Sequence, residues 1–339
     1  GVKAALMPLH SWLPDAMVAP TPVSALLHAV AVVKSGVFGI ARVVLDVFGP
    51  ETVGGLGMGL PLAAVAAFTL VVASVIALRQ DNLKRRLAFS TVSQLSYIVL
   101  GLAVLAPTSL VGGLLHIPAH GFMKITLFFA AGAIHVETHT DDISDMAGIG
   151  RRMPLTMAAF AVAAAGMAGI PLVAGFVSKY FLLIGSISAG ETLFAVALLV
   201  SGVLNIGYFW PVVYTAFFES PEETDEKPLV EGPLGGRLSW GRAAVAEAGD
   251  DAERDPDAVA DGGDASDRDA GDAHGQTDAH GHAGGWDRRG WSGGESTWFM
   301  LAPILVTALG SVVLGVVPDG AVFLRIVRLI VAGATGVSV

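Results

Sequence analysis

The sequence predicts an all-α, polytopic helical membrane protein, and three observations carry that reading. Only 15% of the 339 residues are charged, where a soluble chain would carry about 25%. The mean hydropathy is +0.64. Several apolar runs exceed the roughly 18 residues that mark a transmembrane helix.

The first apolar run covers 1–18 and contains Pro8 and Pro14. Lys3 lies in it, with only two residues before it from which to judge depth. The second run, 22–46, holds His28 and Lys34. Lys34 is near the bilayer centre and Arg42 near the span end, where an interfacial anchor belongs. His28 and Lys34 sit about 120° apart around a helix and face different neighbours.

Two further runs, 56–79 and 87–106, flank a basic connection containing Arg79, Lys84, Arg85 and Arg86. The run 109–136 contains His116-Ile-Pro-Ala-His120-Gly-Phe-Met-Lys124. Positions i, i+4 and i+8 share a helical face, about 6 Å apart along the axis. Two imidazoles and an ammonium in one column can hand on a proton, with water in the gaps. His135, Glu137 and His139 follow at the solvated end of that helix.

The run 154–186 carries Gly169, Pro171 and Gly175 mid-membrane. Proline frees a backbone carbonyl, which lipid tolerates only where protein or a wet cavity satisfies it. A broken helix is expected here, with Lys179 just beyond the break. Spans at 191–218 and 298–317 and a shorter apolar tail at 320–337 complete the series.

Lys/Arg mark the connections 79–86 and 137–153, and none occur at 47–55, 106–109 or 186–191. The two groups alternate as two membrane sides must, and the positive-inside rule makes the basic ones cytoplasmic. The segment 219–297 falls on the same side. It holds 20 Asp/Glu and 7 Lys/Arg, with little apolar content over 247–287, and is expected to be disordered. Three parts result: a core at 1–218, the acidic loop at 219–297 and a terminal span with its tail at 298–339.

The chain has no cysteine, which excludes disulfides and thiolate chemistry. The Gly-Val-Lys start lacks a signal-peptide pattern. No dinucleotide or P-loop fingerprint, catalytic triad or haem pattern occurs, so no cofactor and no catalytic site are expected, and nothing supports nucleic-acid binding. His274, His280 and His282 have no ordered context for a metal site. Lysines deep in a membrane cost roughly 2.5–3.5 kcal/mol each and mark functional sites.

The motifs add a resemblance. Gly1-Val-Lys3-Ala-Ala-Leu-Met-Pro8-Leu-His10-Ser-Trp12-Leu-Pro14-Asp15, Asp81-Asn-Leu-Lys-Arg-Arg-Leu-Ala-Phe-Ser-Thr-Val-Ser-Gln94, His120-Gly-Phe-Met-Lys124 and Gly175-Phe-Val-Ser-Lys179 occur in order. The chain resembles the antiporter-like subunits of Mrp-type cation/proton antiporters, respiratory complex I and membrane hydrogenases, with the D subunit of Mrp-type assemblies as the favoured pattern. The resemblance implies fourteen core helices in two inverted five-helix repeats, each with a broken helix. It implies that the first six helices, with a glutamate partner for Lys3, are missing here, so the first repeat is truncated.

It also implies a proton relay through Lys3, His28, Lys34, His116, His120, Lys124 and Lys179. The implied partners are other subunits of a membrane complex, protons, Na+ and the cell-membrane bilayer. A redox-driven member of a complex I-like assembly and a non-conducting scaffold remain as alternatives.

Overall fold

The computed structural model describes residues 1–18, 20–219, 295–319 and 322–337. Most of the acidic segment, including His274, His280 and His282, lies outside them. Among the described residues the secondary structure is helical, apart from one isolated bridge between Asn82 and Asp142.

Among the described residues, six helices are long and apolar enough to cross a membrane. They are α1 (Thr21–Val47), α2 (Gly59–Leu78), α3 (Leu83–Ala103), α4 (Pro107–Thr138), α7 (Thr192–Phe218) and α8 (Trp298–Val316). Two shorter apolar helices, α5 (Pro154–Ala168) and α6 (Ala174–Ser188), stand between α4 and α7, and α9 (Phe323–Thr335) is the last described helix.

The apolar run 1–18 does not form a spanning helix. Residues 1–11 are a succession of turns, followed by one helical turn at Trp12–Asp15. Apolar composition is met by burial of Ala4, Ala5, Leu6 and Leu13, which needs no regular backbone. α1 is interrupted by two π-helical segments, Leu26–Val30 and Val43–Val47. The first of these carries His28, and such bulges occur often at functional sites.

The run 154–186 divides as its breakers dictate. α5 ends at Ala168, Gly169 takes the left-handed conformation at φ 93°, and α6 starts at Ala174. A side chain on Gly175 would come within 1.9 Å of the Gly166 carbonyl oxygen. Glycine there lets the two halves pack closely.

The basic connections lie together at one end. Lys84 pairs with Asp141 at 3.1 Å, and Ser144 Oγ donates to Asp81 at 2.8 Å. The Gly148 amide donates to Thr215 O at the end of α7. Glu295, where the described chain resumes, accepts from the Leu155 and Thr156 amides. Chain exit after α7 and re-entry before α8 are therefore on the side of the basic loops. α9 packs on α4, burying Leu324, Val327 and Val331 and exposing Ile326, Leu329 and Ile330.

α3 is the central helix. It packs against α2 and α4 and is buried along nearly its whole length. Ser90, Thr91, Ser93, Gln94 and Ser96 are all 0% exposed. Several hydroxyls bond back to carbonyls of their own helix, Thr91 to Leu87 and Ser96 to Val92, which satisfies them without water. Ser93 bonds to Leu70 O and Ser74 of α2 and to Ser201 of α7, and Ser90 and Gln94 face the site.

Candidate functional site: a buried lysine–histidine axis

α4 presents His116, His120 and Lys124 as a column, all 0% exposed. The His116 and His120 rings are 6.1 Å apart between centroids. Pro118 lies between them inside the helix.

α1 brings Lys34 to this column. Its Nζ is 2.7 Å from His120 Nδ1 and donates to the Ile117 carbonyl at 2.9 Å. His28 is not paired with Lys34. Its ring lies against Phe128 of α4, with centroids 5.0 Å apart. Both ring nitrogens of His28 are buried without a hydrogen-bond partner among the described residues.

His116 is held from both sides. Its Nδ1 is 2.7 Å from Ser178 Oγ of α6, and its Nε2 is 2.9 Å from Gln94 Oε1 of α3. Ser178 Oγ also lies 3.1 Å from the Gly175 carbonyl. A neutral His116 can accept from the Ser178 hydroxyl. A charged one can donate to Ser178, which then donates to Gly175. The surroundings suit both protonation states.

Lys124 donates to Ser90 Oγ of α3. Its ammonium stands over the Phe128 and Phe209 rings, 5.8 and 5.9 Å from their centroids. A cation over an aromatic face is stabilised by the ring quadrupole.

Half-buried Lys179 lies beside the break. In an unbroken helix the Met167 carbonyl would take the amide of residue 171, but Pro171 has none. Lys179 Nζ donates to that carbonyl instead, and Asn205 Nδ2 of α7 donates to it at 3.1 Å. The Lys179 ammonium is 4.6 Å from the Tyr97 ring centroid, and that ring lies 5.6 Å from His116. The break thus creates the acceptor that Lys179 uses.

The structure brings Lys34, His116, His120, Lys124 and Lys179 into one connected region. Lys3 is exposed and stands apart, its backbone against Gly36 of α1. Arg42 is ion-paired with Asp46 at 2.9 Å. His135 approaches Asp141 at 3.0 Å, and both line a crevice of about 740 Å³ with Lys84, Thr21, Gly132 and Phe128. Sequence reasoning does not pick out Ser90, Gln94, Tyr97, Ser178, Asn205 and Tyr208. Apart from Ser178, their signal is positional: 90, 94 and 97 on α3, and 201, 205 and 208 on α7, fall on single helix faces.

A family model settles the kinship. The model described as NADH:quinone oxidoreductase/Mrp antiporter, TM, matches residues 1–205. The chain belongs to this family.

Two relatives show its breadth. NADH-quinone oxidoreductase subunit N of Desulforudis audaxviator is 40% identical over 243 residues, covering 70% of this chain and 48% of that protein. A component of a "Probable K(+)/H(+) antiporter" of Rhizobium meliloti is 35% identical over 232 residues, covering 67% and 23%. The chain therefore spans about half the length of the first relative and less of the second.

A chain of the Mrp complex from Dietzia sp. DQ12-45-1b matches the fold with a TM-score of 0.72 at 25% identity. The match covers 98% of this chain and 57% of that one. This is a multi-pass membrane protein with the antiporter-like fold, and its relatives are subunits of multisubunit membrane complexes.

Proposed function

We propose that the chain is a proton-translocating subunit of a multisubunit monovalent cation/proton antiporter of the Mrp type, resembling the D subunit. Protons move along Lys34, His120, His116 and Lys124, and Lys179 links this axis to one membrane face. His28 and Lys3 extend it toward neighbouring parts of the whole protein. Na+ or another monovalent cation is moved elsewhere in the assembly. The complex lies in the cell membrane, with the segment 219–297 as a cytoplasmic spacer.

The observation that carries this reading is the contact of Lys34 Nζ with His120 Nδ1, 2.7 Å apart inside a membrane helix bundle. A lysine, a histidine column and a second lysine in one buried region have no packing purpose that apolar residues would not serve better. Translocation requires groups that gain and lose protons in sequence, and imidazole and amine do so.

The test is proton movement in vesicles holding the assembled complex with the full-length subunit. A Na+ or K+ gradient should drive proton flux in the wild type, and Lys124→Ala and Lys179→Ala should each abolish it. Unchanged flux in both variants overturns the relay. The relatives named as NADH-quinone oxidoreductase subunits supply a second reading, the same relay driven by redox chemistry in another subunit. Proton movement that follows NADH oxidation and ignores cation gradients would select it. Deleting 247–287 should leave flux unchanged.

A further inference from the structure

α7 carries two buried polar residues that the relay does not include. Asn205 and Tyr208 are both 0% exposed. The Tyr208 hydroxyl donates to Asn205 Oδ1, and the nearest polar side chains acting on it from α3 are those of Ser90 and Gln94. Ser90 is the partner of Lys124, and Gln94 is the partner of His116. Asn205 Nδ2 donates at 3.1 Å to the Met167 carbonyl, which also receives the Lys179 ammonium. Its other contact is the Tyr97 hydroxyl at 3.5 Å. One Tyr–Asn pair therefore meets the immediate partners of three proposed relay groups.

We propose that Tyr208 and Asn205 are positioning residues that couple the charge state of Lys124 to that of Lys179. The inference rests on the proton-translocation reading above. A protonated Lys124 donates to Ser90, and the Ser90 hydroxyl donates to the Leu87 carbonyl at 2.8 Å. Once Lys124 gives up its proton, its amine is an acceptor and the Ser90 hydrogen turns toward it.

That reversal turns the Ser90 O–H dipole from Leu87 toward Lys124, which alters the field at the neighbouring Tyr208 hydroxyl and hence the polarisation of its bond to Asn205. Asn205 and Lys179 are donors to a single carbonyl, so strengthening one weakens the other. Neither residue of the Tyr–Asn pair carries the transported proton. The phenol keeps its hydrogen, and the amide neither gains nor loses one.

The helix break supplies the shared element. With an amide at position 171, Met167 O would be occupied within its own helix. With Pro171 there, the carbonyl serves α6 and α7 together. The α7 faces of Asn205 and Tyr208 are one turn apart, which sets the span from Met167 to Ser90.

The test uses the assembled complex in vesicles, with proton flux recorded against pH for wild type, Tyr208→Phe, Asn205→Leu and Lys124→Met. Tyr208→Phe and Asn205→Leu should assemble, lose about tenfold in flux and move the midpoint of the flux–pH profile by about half a unit or more, about threefold in proton affinity. If Asn205→Leu does not assemble, Ser90→Ala interrupts the same chain and should move the midpoint likewise. Wild-type rate and midpoint in the assembled variants overturn the coupling. Slower flux at an unchanged midpoint marks loss of packing alone and overturns it too. Lys124→Met separates the two levels: if it keeps full flux, the translocation reading itself has failed.

Discussion

Lys34 and His120 meet nitrogen to nitrogen, 2.7 Å apart, from two different helices. An ammonium has no acceptor, so His120 Nδ1 must offer its lone pair while Lys34 is charged. The proton of a neutral His120 then sits on Nε2, which has no partner among the described residues. The pair has one proton between its nitrogens and another on the buried Nε2 of His120.

This contact separates a relay lysine from a fixed charge. Lys34→Arg keeps the charge but cannot release a proton in any working pH range. We expect its proton flux to fall at least about tenfold, or about 1.4 kcal/mol on the barrier, as far as in Lys34→Ala. Initial rates in vesicles decide it. Near-wild-type flux in Lys34→Arg would make Lys34 a static charge.

Lys124 should show opposite effects on stability and function. It is fully buried, and it relies on one hydroxyl and two aromatic faces. No carboxylate pairs with it among the described residues. Burying an ammonium without a counter-ion costs desolvation free energy that an apolar side chain of similar length does not. Lys124→Met should therefore hold or raise the melting temperature of the complex while flux is lost. A large fall in melting temperature would mean that Lys124 is structural.

The column is readable in the sequence because a spacing of four places side chains on one helix face, a property of the backbone alone. The helix break is readable from Gly169, Pro171 and Gly175 for the same kind of reason. The partners of the column are not, because they come from other helices. Ser178 and Gln94 lie 62 and 22 residues from His116, and no local rule fixes which helix packs where. The π-helical segment at His28 also escapes, since an extra residue in a turn leaves the apolar pattern intact. The run 1–18 reads as a span because apolar content does not distinguish a helix from buried turns.

The helix break makes a sharp steric prediction. A Cβ at Gly175 would lie 1.9 Å from the Gly166 carbonyl oxygen, well inside contact distance. Gly175→Ala must push α5 and α6 apart, costing about 1–3 kcal/mol or more. Lys179 lies one turn further along α6 and would be drawn from Met167 O. Flux and melting temperature should fall together, unlike the opposed changes expected for Lys124→Met. An unchanged melting temperature would mean that the two halves do not pack this closely.

Glu295 should matter to stability and not to transport. The N-terminus of α5 has no side-chain cap of its own, because Met153 holds the cap position. The Glu295 carboxylate supplies one from far along the chain. It accepts from the Leu155 amide at 2.8 Å, the Thr156 amide at 2.7 Å and the Thr156 hydroxyl at 2.8 Å. Negative charge at a helix N-terminus is favoured by the helix dipole, and free amides there need acceptors.

Glu295→Ala should cost about 1–2 kcal/mol, and Glu295→Gln less, since its amide oxygen still accepts. Amide hydrogen exchange at Thr156 should quicken in Glu295→Ala, with flux retained, because none of the proposed relay groups stands on α5. Unaltered exchange at Thr156 would show that α5 does not depend on this cap.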